Sequence, residues 1–147
     1  MAHWCIPLTL LYGAAMVISG SAQQNPNCSQ LRTEALRDEL RNSFVTAIVA
    51  RRASDSSNAP LAYECALEGL AGFILQANRV RVNCHTYLNI VQLRYESAVQ
   101  PGVEFGAVLG NAISSWNIHF SSLSTRSRYG CNYALQSRRH KLVCLFK

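Results

Sequence analysis

Acidic residues are scarce in this chain. Eight Asp plus Glu stand against fourteen Lys plus Arg in 147 residues, a formal net charge of +6. The surplus either draws anionic glycans, lipid headgroups or nucleic acid weakly to the surface, or serves solubility alone. No Cys-x-x-Cys spacing occurs, so neither a zinc knuckle nor a thioredoxin-like redox centre is indicated. No Gly-x-Ser-x-Gly elbow accompanies the plentiful serines at 114, 115, 121, 122, 124 and 127, and no glycine-rich phosphate cradle is present. Only one adjacent cysteine-histidine pair exists, Cys84 beside His85, and a disulfide at Cys84 would consume half of it. Internal repeats and long low-complexity tracts are also missing.

There is a single long apolar run, from Ile6 to Ser19, closed by the small residues Gly20-Ser21-Ala22. It is too short for a span of about 18 or more apolar residues. It suits a secretory leader cleaved before Gln23. The expected division is therefore 1–22 as a signal peptide and 23–147 as one domain, secreted or extracellular and in part cell-surface associated. The chain closes at Lys147 with no spacer and hydrophobic tail, so no glycolipid anchor is expected. Export favours disulfides in so short a chain. Cys28, Cys65, Cys84, Cys131 and Cys144 are the candidates. One of the five is left over, as a buried thiol or as a link to a second chain in a disulfide-linked dimer.

The stretch 129–147 carries the clearest pattern. Tyr129, Cys131, Tyr133 and Leu135 alternate, a charged break follows at Arg138, Arg139, His140 and Lys141, and Leu142, Cys144 and Phe146 alternate again. Period-two patterning on both sides of a polar turn predicts an antiparallel hairpin with one buried face. Cys131 and Cys144 share that face, free to pair with each other or to staple the sheet to what packs on it.

Before the hairpin the pattern is mostly helical. Leu36, Leu40, Phe44 and Ile48 predict a helix over 31–50, with Arg32, Arg37, Asp38, Glu39 and Arg41 on its wet side. Arg51-Arg52 suits its carboxyl end, and Asn27 with Gln30 suits a capping box ahead of it. The polar stretch 53–59 reads as a loop. A second helix over 60–78 opens on Pro60, with Leu61, Cys65, Leu70, Phe73, Ile74 and Ala77 inward and Glu64, Glu68 and Gln76 wetter. Gly69 and Gly72 within it point to close packing. Residues 86–95 fit either period and are read as helix. Gln100-Pro101-Gly102 marks a turn. Phe105, Leu109, Ala112, Ile113, Trp116 and Phe120 predict a helix over 105–120 with Trp116 in the core. Asn27-Cys28-Ser29 satisfies the glycosylation pattern. The fold class expected is α+β, with helices layered on a small antiparallel sheet.

Gly130-Cys131 opening a strand, Val143-Cys144 near the end, a Trp-bearing helix and two helices before it together resemble the CAP superfamily of cysteine-rich secretory, antigen 5 and pathogenesis-related proteins. They look closer still to the cysteine-stapled surface antigens of Eimeria and related coccidian parasites, built on a CAP-like core. The resemblance covers residues 28–147 and implies a disulfide-stapled α-β-α sandwich. Where such proteins carry a histidine-asparagine pair in the first helix, this chain has Arg41-Asn42. Where they carry Trp-x-x-Glu, Trp116 is followed by His119. The family's metal-binding His/Glu cluster is therefore not carried over, and no cofactor or metal site is expected.

Three functional readings follow. The first is a non-enzymatic, basic, secreted antigen-like protein that meets a host-cell surface glycan, lipid or protein through its surface, with no specific nucleic acid. Its candidate anionic-ligand patch is Arg126, Arg128, Arg138, Arg139 and Lys141, gathered at one end of the domain or split between two. The second is a small basic hydrolase of ribonuclease type, using two of His85, His119 and His140 as acid and base. A lipid-binding CAP-like protein is the third.

Overall fold

The computed structural model describes residues 26–54, 60–77 and 89–147. The expected leader, the loop at 55–59 and residues 78–88, with Cys84 and His85, lie outside them.

The terminal hairpin organises the rest. Strands β3 (Arg128–Gln136) and β4 (Arg139–Phe146) pair antiparallel, with Tyr129 opposite Phe146 and Cys131 opposite Cys144. The two cysteines bridge each other across this register, Cα atoms 4.1 Å apart, as directly facing side chains on one face can. Strand β2 (Val91–Ala98) pairs antiparallel with the far side of β4, and β1 (Ala62–Tyr63) adds a parallel two-residue edge to β3. The sheet order is β1-β3-β4-β2.

Helices cover both faces. On one, α1 (Asp38–Ala53) and α3 (Phe105–Trp116) bury Phe44, Ile48, Leu109, Ala112 and Trp116 against Leu93, Tyr129, Leu142 and Phe146. The other face carries α2 (Cys65–Gln76), whose Leu67, Ala71, Ile74 and Leu75 meet Val143 and Leu145. Alternation along β4 serves both layers: Leu142, Cys144 and Phe146 point to one, Val143 and Leu145 to the other. This is an α-β-α sandwich. Gly130 marks the closest approach of α2 to the sheet; a Cβ there would lie 2.4 Å from the Glu68 amide nitrogen.

Several elements differ from expectation. The first helix is broken: a 3-10 helix (Ser29–Glu34) is kinked at Arg32 and stops before Ala35, and α1 starts at Asp38. Arg32 has φ +51°, which breaks the helical path, and Leu36, in the link before α1, is still buried in the core. The Asn27 side chain accepts from the Ser29 amide, so a local turn stands where the capping box was expected. The second helix begins five residues later than expected because Ala62–Tyr63 pair with Arg128–Tyr129. Its phase also differs: Phe73 is 54% exposed, whereas Glu68 is fully buried. Gly69 and Gly72 do pack closely, Gly69 on Leu31 and Gly72 on Asn132. Residues 91–95 form strand, not helix. Gln100-Pro101-Gly102 turns as expected, Gly102 at φ +77° and the Val103 amide donating to the Gln100 carbonyl. The Trp-bearing helix stops at Trp116 and continues to Leu123 as a 3-10 segment.

Arg51 and Arg52 hold that segment. The Arg52 guanidinium, buried, donates to the carbonyls of Leu123 and Ser124, and Arg51 donates to Asn117 and lies over the Phe120 ring. Both sit in the last turn of α1, as expected; Arg51 also donates to the Ser54 hydroxyl there, and both reach on to the neighbouring segment.

Candidate functional site

Two polar regions stand out, one inside the sandwich and one at its tip. The inner one centres on Arg41, 2% exposed, and Glu68, 0% exposed. The Arg41 Nε donates to Glu68 Oε2 at 2.7 Å, and Nη2 donates to Glu68 Oε1 and to the Leu36 carbonyl. Asp38 takes the remaining arm, Nη1. Glu68 also accepts from the Leu36 amide at 2.7 Å and from the Tyr63 hydroxyl at 2.6 Å, and that hydroxyl reaches the Cys131 carbonyl. The bidentate fork is the arrangement an arginine forms best with a carboxylate.

Electrostatics agree with this saturation. The hydrogen bond to Glu68 raises the Arg41 pKa further above its ordinary value, against the effect of burial. Burial, followed by the charge of Glu68, holds the Tyr63 phenol well above the usual tyrosine range. Asn132 extends the network by donating to the carbonyls of Glu34 and Glu68. These groups join the first 3-10 helix, α1, α2 and β3, and every charged atom of the pair has a protein partner. Such a cluster is built to hold elements together; it offers no open position for a reacting group.

The sequence placed Arg41 and Glu68 on wet faces, and the structure corrects both. The signal that could have found them is a lone acid, Glu68, inside the apolar run around Leu67 and Ala71. Beside the cluster, Thr33, Arg37, Gly72, Asn132 and Tyr133 line a shallow depression of about 230 Å³.

The outer region is the hairpin tip. The expected break spanned Arg138 to Lys141, but the turn is only Ser137-Arg138, at φ +51° and +58°; Arg139, His140 and Lys141 belong to β4. Both central residues at positive φ form the primed turn that suits the twist of two strands. Arg138 is thereby held outward. Arg139 pairs with Glu96 at 2.5 Å, half-exposed on both sides, and Lys141 reaches Gln136. His140 turns inward, 8% exposed, its Nδ1 at 2.9 Å from the Tyr133 hydroxyl.

The five basic candidates divide between the two ends of β3. Arg128 pairs through its backbone with Lys147 and through its side chain with Glu64, and Arg126 donates to the Asn89 carbonyl. Eight residue steps of strand, about 27 Å, separate Arg128 from the tip group of Arg138, Arg139 and Lys141. The histidines are also apart. Exposed His119 precedes Phe120, which packs on Phe146, whereas His140 lies six strand residues away, about 20 Å. A two-histidine acid-base pair is not assembled from them.

Among the described residues no three His, Cys, Asp or Glu side chains converge on a metal position. Cys28 and Cys65 are bridged, Cα atoms 5.3 Å apart, tying the first 3-10 helix to α2. The fifth cysteine, Cys84, is outside the described residues.

Comparison with known proteins places this architecture. Residues 28–146 match the family profile described as Ancylostoma-associated secreted protein related. Among solved structures, manganese-bound Ac-ASP-7, an Ancylostoma-secreted protein, is similar with TM-score 0.56 and 16% identity over 77% of this chain and 70% of that one. Hookworm platelet inhibitor is similar with TM-score 0.53 and 15% identity over 76% and 70%. A search of curated proteins returns no match. The two structures share the CAP-like fold with this chain. The closer likeness to coccidian surface antigens, read from the Gly-Cys and Val-Cys steps, gains no support from these matches.

Proposed function

Since the chain belongs to the Ancylostoma-associated secreted protein related family, we propose that it is an exported, non-enzymatic CAP-like module that works at a parasite-host boundary. It binds an anionic host component, such as a sulfated glycan, through the basic hairpin tip. One observation carries this reading. The buried charges Arg41 and Glu68 are spent on one another, while Arg138 stands at the tip of a turn beside Arg139 and Lys141. The neighbour named for platelet inhibition supports looking for a host component.

Among the described residues no group fits the manganese present in the other neighbour. Arg41 stands where the resemblance expects a first-helix histidine, and a buried guanidinium repels a cation. The lipid-binding alternative finds its support at the same tip, where Leu135 is 58% exposed; anionic vesicles are therefore a second probe.

Retention on immobilised heparin across a salt gradient tests the proposal. The triple variant Arg138→Gln, Arg139→Gln, Lys141→Gln is expected to elute at clearly lower salt than the parent, since exposed charge acts within a Debye length of about 8–10 Å. Arg126→Gln with Arg128→Gln is expected to elute near the parent. Equal loss in both variants would replace the tip with diffuse positive charge.

A further inference from the structure

The chain contains one Asn-x-Ser/Thr triplet, Asn27-Cys28-Ser29, and the structure shows how it is presented. Asn27 is exposed, and its Oδ1 accepts from the Ser29 amide at 3.0 Å. That bond engages the carbonyl end of the side chain and leaves Nδ2 with no protein partner. Cys28, the middle residue, is fully buried and bridged to Cys65 at the start of α2. The bridge therefore anchors the triplet by its centre while both flanking side chains stay at the surface. Sugar and disulfide can coexist.

We infer that Asn27 carries an N-linked glycan, installed as the chain enters the secretory pathway. The inference rests on the export reading. In the reaction the Asn27 Nδ2 forms a bond to the anomeric carbon of an oligosaccharide carried on a polyprenol pyrophosphate. The sugar-to-pyrophosphate bond breaks, the lipid pyrophosphate leaves, and the amide nitrogen gives up one proton.

Position then predicts what the glycan covers. Asn27 lies against Leu36, Arg37 and Asp38, around a shallow depression at the start of α1. Cys65 opens α2 where Glu64 pairs with Arg128, whereas the carbonyl of Leu75 near the other end of α2 takes a bond from Gln136 at the tip. The glycan therefore shields the end opposite the tip and leaves Arg138 open.

The full chain is expressed in a eukaryotic cell line, once with its own residues 1–22 and once with the leader of a host secreted protein. Secreted protein is treated with peptide-N-glycosidase F and mapped by mass spectrometry. The expected result is a mobility shift with conversion of Asn27 to aspartate, absent in Asn27→Gln and in Ser29→Ala, with heparin retention unchanged after deglycosylation. Secreted protein carrying unmodified Asn27 would overturn the inference. Export with the foreign leader alone would overturn the export reading instead, and Asn27 in that material still decides the glycan.

Discussion

Arg41 and Arg139 each hold a glutamate at nearly the same distance, 2.7 Å to Glu68 and 2.5 Å to Glu96. Everything else about the two pairs differs. The first is sealed within the sandwich and ringed by further donors and acceptors; the second is half-exposed on a sheet edge near the tip. Distance alone says nothing about strength. Removing one partner of a buried pair strands an uncompensated charge and costs about 3–5 kcal/mol. An exposed pair of equal geometry is worth about 0–1 kcal/mol after screening and side-chain entropy. The same residue type ties elements together in one place and stays half-exposed at the surface in the other.

The largest effect expected on this comparison is at Glu68. Glu68→Leu leaves Arg41 buried without its carboxylate and releases the Leu36 amide and the Tyr63 hydroxyl; a loss of about 3–5 kcal/mol in urea unfolding is expected. Next is Gly130→Ala, whose Cβ meets backbone of α2 at 2.4–2.7 Å. Backbone cannot step aside as a side chain does, so the upper part of the usual overpacking cost, about 1–3 kcal/mol, is expected.

Alkaline titration probes the same interior. Burial raises the phenols of Tyr63 and Tyr129 above the ordinary value of 10.0. The folded state then holds those protons more tightly than the unfolded chain. Stability is full below about pH 10 and falls above it, by about 1.4 kcal/mol per pH unit for each phenol. Their phenolate absorbance should rise only together with loss of near-UV circular dichroism.

At the tip the signs reverse. Ser137→Asn with Arg138→Gly puts at both positive-φ positions the residue types that tolerate them best, so a gain of about 1 kcal/mol is expected together with weaker heparin retention. The smallest effect is Glu96→Gln, which should change stability by less than about 1 kcal/mol. A loss as large as that at Glu68 would erase the contrast between the two regions.

What the sequence made legible follows from where the pattern was local. The hairpin was readable because Tyr129 to Phe146 alternate with period two and the cysteines fall in phase with the core. The helix from Phe105 was readable because its stripe faces one layer only. Strand β2 was not, because Leu88, Val91 and Tyr95 also satisfy a helical spacing and the pairing that decides the matter lies fifty residues on, in β4. The phase of α2 was lost because the helix is buried on two sides, by the sheet and by the segment around Leu31 and Glu34. The inner cluster left one local trace, the lone acid Glu68 in an apolar run; its pairing stayed hidden, since Arg41 and Glu68 are 27 residues apart. The basic candidates were identifiable by type, but only the strand register shows that they occupy opposite ends.

A double-mutant cycle on Arg41 and Glu68, read by equilibrium unfolding, tests most directly whether the interior cluster is a structural tie. Arg41→Met and Glu68→Leu should each destabilise strongly, while the double variant should regain most of the loss and keep the parent's heparin retention. Additive losses, or a double variant that folds as well as the parent but no longer binds heparin, would contradict it.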